Sequence, residues 1–242
     1  MISVCVATYN GAEYIREQLN SILSQLTAED EVIVSDGGSV DDTIARIEQL
    51  HDKRIRIILL PEFHTQASGI WKQVERISRN FENALQYAKG EIIFLSDQDD
   101  RWMPDKVARV LACMDRETMC VVHDAQVTDE QLHVMEPSIM KSFKPCFSRW
   151  GVLWKSPFMG CCMAVRKEVV DEALPVPQGV EYDTWLGCVA RKKGNVRFVQ
   201  QPLLLYRRHE HNASYLAHHN HNSLWVKLIR RYNILKSCVL YL

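Results

Sequence analysis

The 242-residue sequence contains no run of about 20 apolar residues, the length that a membrane-spanning helix requires. The first residues lack a basic segment followed by a long apolar one, so residues 3–7 are interpreted as a strand and not as a signal peptide. The eight cysteines include no CxxC pair, which argues against a zinc site and favours reduced thiols in a cytoplasmic protein. Since the sequence also lacks internal repeats and low-complexity linkers, one main domain is expected.

The charges of the chain are unevenly distributed, although its net charge is only −1. Residues 191–242 contain ten Lys/Arg and one acid, so the first 190 residues keep 19 Lys/Arg and 29 Asp/Glu, or about −10. The basic part either binds an anionic partner, such as phosphates or the cytoplasmic membrane surface, or neutralises the acidic part within one fold. No nucleic-acid partner is expected.

Apolar runs typical of strands alternate with segments of helical periodicity in the first half. Strands are predicted at 3–7, 31–35, 55–60 and 91–95, and helices at 13–26, 44–50 and 79–89, followed by a helix after Pro104 and a short strand at 121–122. This alternation predicts an α/β fold with a Rossmann-like, mostly parallel central sheet and helices on both faces.

The second half is less regular. Residues 136–157 are predicted to form a long loop near a binding surface. Strands are predicted at 158–165, 196–199 and 203–206, and helices at 167–173, 184–192 and 223–241. The last helix is basic and amphipathic, so it either contacts the membrane interface or packs against the domain.

The most informative segment is residues 94–100, where an apolar strand ends in Asp97, Asp99 and Asp100. Three carboxylates this close repel one another, and each raises the pKa of its neighbours. A cation among them would relieve the repulsion, and open α/β sheets bind ligands at the carboxyl ends of their strands. The segment is therefore either a divalent-metal site for a phosphate-bearing substrate or a solvated turn that caps the next helix.

Two more loops at the same predicted edge carry polar or glycine-rich sequences. Residues 8–11 (Thr-Tyr-Asn-Gly) follow the first strand, and Asp36-Gly37-Gly38-Ser39 follows the second. Consecutive glycines let main-chain amides approach a ligand, and Asp36 can accept a hydrogen bond from a ribose hydroxyl or a base N–H. Either loop alone could be an ordinary turn, but together with the carboxylates they favour a nucleotide site.

The sequence resembles the family 2 glycosyltransferases, which have the GT-A fold. Five motifs in order over about residues 1–215 carry the resemblance: Ser3-Val4-Cys5-Val6-Ala7-Thr8-Tyr9-Asn10, Ser35-Asp36-Gly37-Gly38-Ser39-Val40-Asp41-Asp42-Thr43, Ser96-Asp97-Gln98-Asp99-Asp100 with Trp102-Met103-Pro104-Asp105, Tyr182-Asp183-Thr184-Trp185, and Tyr206-Arg207-Arg208-His209 with Asn212 and Ser214. The later motifs look most like the bacterial rhamnosyltransferase-type branch, which serves surface-polysaccharide assembly.

The resemblance implies a role for each matching residue. A nucleotide-sugar donor would contact Thr8, Tyr9, Asn10, Asp36, Gly38, Asp97, Arg207, Arg208 and His209. Asp99, with Asp97, would bind the Mg²⁺ or Mn²⁺ that bridges the donor diphosphate, and Asp183 would be the catalytic base. Many members have Asp-Asp-Gly-Ser where this chain has Asp36-Gly37-Gly38-Ser39, so the resemblance does not decide between uridine and thymidine.

The resemblance also implies the reaction, which is transfer of a sugar to a hydroxyl of a saccharide or lipid-linked saccharide with inversion at the anomeric carbon. Asp183 opens a predicted helix, whose dipole favours the charged form of a base, and Trp185 would stack on an acceptor sugar. Without the resemblance, Asp183 reads as a helix cap and Trp185 as a core residue. Arg207 and Arg208 would either clamp the diphosphate or pair with acids of the N-terminal part.

Other functions remain as alternatives. A sugar nucleotidyltransferase would be expected to carry a basic glycine-rich loop near its N-terminus, but residues 8–13 contain no Lys or Arg. A glycosidase would leave the nucleotide-like loops unexplained. A non-catalytic nucleotide-sugar binding module would not need Asp183. The expected organisation is a GT-A domain at 1–215 and a basic helix at 216–242 that contacts the inner face of the cytoplasmic membrane, preceded by His218, His219 and His221 in a solvated loop or, less readily, a metal site.

Overall fold

The computed structural model describes residues 1–65, 67–210, 212 and 224–238. The first half alternates strands and helices as predicted: β1 (Ile2–Thr8), α1 (Ile15–Leu23), β2 (Glu31–Asp36), α2 (Thr43–Glu48), β3 (Ile55–Leu59), α3 (Ile70–Tyr87) and β4 (Ile92–Ser96). The predicted start of α3 at residue 79 was wrong by nine residues. Ile70, Val74 and Ile77 continue the apolar stripe of the helix toward its N-terminus, and α3 packs on β1 and β2.

The second half contains β5 (Arg101–Trp102), α4 (Lys106–Ala112), β6 (Thr118–Thr128), β7 (Val134–Glu136), α5 (Ile139–Phe143), α6 (Val152–Lys155), β8 (Met163–Arg166), α7 (Lys167–Ala173), α8 (Tyr182–Lys193), β9 (Asn195–Arg207) and α9 (Leu224–Cys238). The segment predicted as a loop at 136–157 contains α5 and α6. Two 3₁₀ turns, Arg149–Gly151 and Gly160–Cys162, precede α6 and β8.

Two strands of the second half are longer than predicted. β6 has 11 residues, and β9 is one strand of 13 residues where two separate strands were predicted. The two strands pair in parallel, with register shifts near His123 and Asp124 that let Pro202 lie inside β9. A bulge of this kind accommodates a proline that a regular ladder would exclude, so the break in the sequence pattern did not mark a chain turn.

One nine-stranded sheet connects the strands in the order β3-β2-β1-β4-β8-β6-β9-β5, with β7 paired to β6. The first four are parallel, and β8 runs antiparallel to both β4 and β6, so β6 and β9 run in the same direction as β4. The prediction of a mostly parallel sheet flanked by helices is confirmed. The carboxyl ends of β1, β2, β4, β6 and β9 consequently meet at one edge.

The last helix packs against the domain through α6 and α8. Its buried residues include Ile234 and Cys238, and the Arg230 Nε atom lies 2.5 Å from Glu181 Oε1. Packing against the domain, one of the two alternatives for this helix, is therefore observed. The division into 1–215 and 216–242 stays a prediction, and His218, His219 and His221 lie outside the described residues.

Candidate active site

The loop after β2 is organised by the carboxylate of Asp36, which is fully buried. Its Oδ2 atom accepts a hydrogen bond from Thr8 Oγ1 at 2.9 Å, and its Oδ1 atom accepts from the amides of Gly38 and Ser39 at 3.0 and 2.7 Å. Gly38 has φ +86°, in the left-handed region that glycine adopts without strain. Asp36 thus shapes the loop, and its predicted contact with the nucleoside stays a prediction.

The loop after β1 is tied to the loop after β4 by Gln98. The Tyr9 amide donates to Gln98 Oε1 at 2.8 Å, and Gln98 Nε2 donates to the Tyr9 carbonyl at 3.1 Å. The guanidinium of Arg76, on α3, lies 3.5 Å from the centroid of the Tyr9 ring and donates to the Gly37 carbonyl. No role was assigned from the sequence to Gln98, which was quoted only within a motif, or to Arg76, because their contacts are made across the fold.

Asn10 joins the first two loops. Its amide donates to Ser39 Oγ at 2.8 Å, and its Oδ1 atom accepts from the Val40 amide at 2.9 Å. With φ 48°, Asn10 adopts the left-handed conformation that Asn tolerates better than most residues. The predicted donor-binding residues Thr8, Tyr9, Asn10, Asp36 and Gly38 therefore lie together.

Two of the three carboxylates after β4 converge, and the third points elsewhere. One oxygen each of Asp97 and Asp100 and the Cys161 sulfur lie within 4.8 Å of one another. Asp99 instead faces the end of β9, where its Oδ2 atom lies 2.9 Å from His209 Nε2 and 3.1 Å from Asn212 Nδ2.

The mutual repulsion expected of these carboxylates is present in their pKa values. Burial, followed by the Asp99 charge, raises the pKa of Asp97 to about 7. Burial, followed by the charges of Asp99 and Asp97, raises the pKa of Asp100 well above its ordinary value. The buried Asp100 Oδ2 atom has no hydrogen-bond partner within the described part of the chain. This group of oxygens therefore suits a divalent cation better than it suits a turn of unpaired acids.

The buried ammonium of Lys106 lies behind the carboxylates. It donates to the Cys161 carbonyl at 2.9 Å and lies 4.1 Å from the Trp102 ring centroid. Burial lowers the pKa of Lys106 to about 8, partly offset by Cys162 and Cys161 and, to a lesser degree, by the neighbouring carboxylates. Lys106 was missed because a lysine on the apolar face of a short helix gives no signal of its own in one sequence.

The two arginines of the motif at the end of β9 have separate partners. Arg207 is buried, with its Nε donating to the Asp99 carbonyl at 2.9 Å and its guanidinium paired with Glu17 at 2.5 Å. Arg208 lies 3.5 Å from Glu136 and lines a pocket. Successive residues of a strand point to opposite faces, which separates the two side chains. Pairing with acids, one of the two alternatives, is observed for both.

Asp183 lies in the first turn of α8 and lines the same pocket as Arg208. Its Oδ2 atom accepts from the Gly160 amide at 3.2 Å, and its Oδ1 atom accepts from the Thr184 amide at 2.6 Å. The helix dipole was expected to favour the charged form. Burial outweighs it and, with the Glu181 charge, raises the pKa of Asp183 to about 6.

The pocket has a volume of about 600 Å³ and is walled mainly by residues 136–159. The segment predicted to lie near a binding surface thus borders this pocket, and its role in binding stays a prediction. Trp185 is not among the lining residues, being 6% exposed, and its indole N–H donates to the Ala173 carbonyl at 2.6 Å. Trp185 is thus a core residue, and its ring does not face the pocket where an acceptor sugar would stack on it.

Comparison with known proteins identifies the family of this chain. The model of the family described as "Glycosyl transferase family 2" matches residues 3–174. The chain belongs to this family. The match favours a glycosyltransferase over the nucleotidyltransferase and glycosidase alternatives.

Curated relatives of this family 2 chain include bacterial glycosyltransferases. An uncharacterised glycosyltransferase of Nostoc sp. is 25% identical over 87% of this chain and 66% of its own length. The dTDP-rhamnosyl transferase RfbG of Shigella flexneri is 24% identical over 86% of this chain and 72% of its own. The UDP-Glc:alpha-D-GlcNAc-diphosphoundecaprenol beta-1,3-glucosyltransferase WfaP of Escherichia coli is 26% identical over 98% of this chain and 86% of its own.

Solved structures agree on the fold. TarS of S. aureus, residues 1–349 in complex with UDP-GlcNAc, superposes with a TM-score of 0.66 at 20% identity, covering 98% of this chain and 67% of TarS. Glucosyl-3-phosphoglycerate synthase of Mycobacterium tuberculosis, with Mn²⁺ and UDP, gives 0.64 at 18% identity, covering 99% and 80%. The family 2 chain thus has the GT-A fold. Within the described ranges, no helix is long and apolar enough to cross a membrane.

Proposed function

We propose that this chain transfers a sugar from a UDP- or dTDP-sugar to a hydroxyl group of a saccharide or lipid-linked saccharide during assembly of cell-surface polysaccharide. The observation that carries the proposal is the position of Asp183. It lines a pocket and lies close enough to the loop after β4 for its charge to raise the pKa of Asp97. A base for the acceptor and a site for the donor diphosphate are therefore adjacent.

A divalent cation, Mg²⁺ or Mn²⁺, would be held by Asp99 with Asp97. The acidic turn fits such a cation, because oxygens of Asp97 and Asp100 converge with the Cys161 sulfur and Asp100 Oδ2 lacks a hydrogen-bond partner in the described ranges. Asp99 faces His209 in this structure, so its carboxylate would have to turn toward Asp97 to share the cation. His209 Nε2 lies 2.9 Å from Asp99 Oδ2, so the imidazole contacts the carboxylate that would bind the cation. When bound, the cation would neutralise charge on the leaving diphosphate.

The role of Asp183 would be to take the proton of the acceptor hydroxyl. Two amides hold its carboxylate, and its pKa of about 6 leaves it ionised at neutral pH yet more basic than an ordinary Asp. One base acting on the face opposite the leaving group would give direct displacement with inversion.

The relatives support the choice of substrates. RfbG is a dTDP-rhamnosyl transferase, WfaP uses UDP-Glc and a GlcNAc-diphosphoundecaprenol acceptor, and TarS was solved with UDP-GlcNAc. A cytoplasmic enzyme with a lipid-linked acceptor would work at the inner face of the membrane, where the basic α9 could contact the lipid headgroups.

The donor is tested by thermal unfolding of the chain with UDP-, dTDP- and GDP-sugars, each with and without Mn²⁺. A true donor should raise the unfolding temperature in the presence of metal and much less without it. Equal stabilisation in EDTA would reject the metal role.

Activity is tested with the selected donor and a soluble saccharide or lipid-linked saccharide acceptor. Formation of a glycoside, with NMR showing inverted anomeric configuration, would support the proposal. Retained configuration would reject the displacement mechanism, and binding without any transfer across an acceptor panel would favour a binding module.

A further inference from the structure

We propose that α9 and the segment 143–155 together form one face that binds an anionic lipid bilayer, and that the Asp183 pocket opens beside this face. The proposal deepens the proposed function, on which it rests, by naming where a lipid-linked acceptor would reach the pocket. Membrane contact was expected of α9 alone. The proposal adds residues 143–155, which lie about 70 residues or more before α9 in the chain.

The outer side of α9 is an exposed apolar stripe. It consists of Trp225, Leu228, Ile229, Tyr232 and Leu235, of which Trp225 is 74% and Tyr232 64% exposed. These residues recur every three or four positions and so lie on one side of the helix. The opposite side packs on the domain through Ile234 and Cys238. The helix is therefore anchored to the domain while its apolar stripe remains uncovered in the described chain.

The segment 143–155 adds exposed aromatic rings beside α9. Trp154, on α6, is 62% exposed, and Trp150 and Phe143 are also exposed. The Arg231 side chain joins the two elements, because its Nε atom donates to the Leu153 carbonyl at 3.2 Å and its guanidinium lies 5.9 Å from the Trp154 ring centroid. The aromatic segment and the helix therefore belong to one surface.

The charge of this surface identifies its partner. Residues 143–155 contain three Lys/Arg and residues 224–238 contain four, with no Asp or Glu in either, in a chain of net charge −1. Lys227 and Lys236 are exposed on α9. Exposed Trp and Tyr among basic side chains suit the interface of an anionic bilayer, where the rings enter the headgroup region and the cations attract lipid phosphates. Pairing of two such faces would bring like charges together, which disfavours a second copy as the occupant.

The pocket lies at this face. Phe143, Trp154 and Arg230 belong to the face or its edge, and all three line the pocket together with Asp183. An acceptor whose lipid part stays in the bilayer could thus place its sugar near Asp183 without leaving the membrane.

The test measures co-flotation of the full chain with vesicles of phosphatidylglycerol and phosphatidylcholine, and with vesicles of phosphatidylcholine alone, in the absence of donor and acceptor. The chain should bind the anionic vesicles at least about tenfold more tightly. The double variant Leu228→Ser/Tyr232→Ser and the single variant Trp154→Ser should each weaken binding several-fold. Lys227→Gln and Lys236→Gln should weaken it by about fivefold each without removing apolar area.

Leu111→Ser is the matched control, because Leu111 is an exposed leucine on α4, which belongs to neither element. Equal binding to both vesicle types, or an equal loss in the control, would overturn the proposal. A dimer in sedimentation that the α9 variants dissociate would also overturn it and make a second copy the occupant.

Transfer to a soluble acceptor separates this proposal from the proposed function. The α9 variants should keep that rate while losing activity on an acceptor embedded in anionic vesicles. If the wild type floats with vesicles but transfers no sugar, the proposed function is wrong and the membrane-binding face is supported. If it transfers sugar but does not float, only the membrane-binding proposal is wrong.

Discussion

The donor side and the acceptor side of the candidate site are built differently. At the carboxyl ends of β1, β2 and β4, polar groups bind one another. The Asp36 carboxylate accepts from four donors of the surrounding loops, and Gln98 binds both backbone groups of Tyr9. The pocket beside Asp183 has mainly apolar walls from the irregular segment 136–159. The donor loops hold one another in place before any ligand arrives, whereas the pocket supplies shape and a few charged groups. We expect substitutions on the two sides to affect different kinetic constants.

The largest effect is expected for Asp183→Asn. The amide cannot take a proton, so kcat should fall by about 10²- to 10⁴-fold while donor affinity, measured by calorimetry, stays the same. Glu181→Gln, at the residue before α8, is the control and should lower kcat much less. A variant that retains a substantial part of the wild-type rate would exclude Asp183 as the base.

The next effect is expected for Asp99→Ala on the donor side. Removing a ligand should weaken metal-dependent donor binding by about 100-fold or more, measured as the Mn²⁺ concentration needed for half-maximal activity. Asp105→Asn, at an exposed position next to α4, should leave that concentration unchanged. An unchanged metal requirement in Asp99→Ala would move the cation to the Asp97, Asp100 and Cys161 group.

The pH profile should show the titration of Asp183. Its carboxylate is the active form, so with a pKa of about 6 the rate should drop about tenfold per pH unit below 6 and level off above it. The pH dependence of kcat/KM measures this in the free enzyme. A profile with the same inflection in Asp183→Asn would assign it to another group.

A smaller effect is expected for Gln98→Ala. Loss of both hydrogen bonds to Tyr9 should loosen the contact between two donor loops and raise the donor KM by about tenfold, with little change in acceptor KM. Gln98→Glu keeps the acceptor for the Tyr9 amide but not the donor to its carbonyl, and should lie in between. A larger change in acceptor KM would show that the two sides are not separable.

The smallest effect on activity is expected for Trp185→Phe. It removes the bond to the Ala173 carbonyl and some buried area, so the free energy of unfolding should fall by about 1–3 kcal/mol with acceptor KM unchanged. Chemical denaturation and steady-state kinetics measure the two quantities. A large rise in acceptor KM would return Trp185 to the acceptor site.

The sequence predicted the first half of the fold well, because each element there signals itself locally. Apolar runs such as residues 31–35 and 91–95 are buried parallel strands, and the loops that follow them meet at one edge through the geometry of a parallel sheet. The predicted donor residues Thr8, Tyr9, Asn10 and Asp36 are therefore neighbours.

The second half was predicted less well, because its signals are not local. Pro202 interrupts the pattern of β9 but is absorbed by a bulge against β6, and α5 and α6 are too short to show a helical period. Trp185 and Lys106 show the same limit. Trp185 was predicted to bind sugar but is buried, with its indole N–H on the Ala173 carbonyl. Lys106 was not predicted to have a role, but its buried ammonium donates to the Cys161 carbonyl, next to the carboxylates.

The sequence by itself determined the order of strands and helices in the first half, the acidic segment after β4 and the membership of the chain in its family. Only the tertiary structure decided which way each carboxylate points, that Arg207 and Arg208 separate, and that burial raises the pKa of Asp183 against the helix dipole. The reason is that backbone periodicity depends on neighbours along the chain. The environment of a side chain depends on residues that are far away along the chain, 110 positions for Asp99 and His209 and 190 for Glu17 and Arg207.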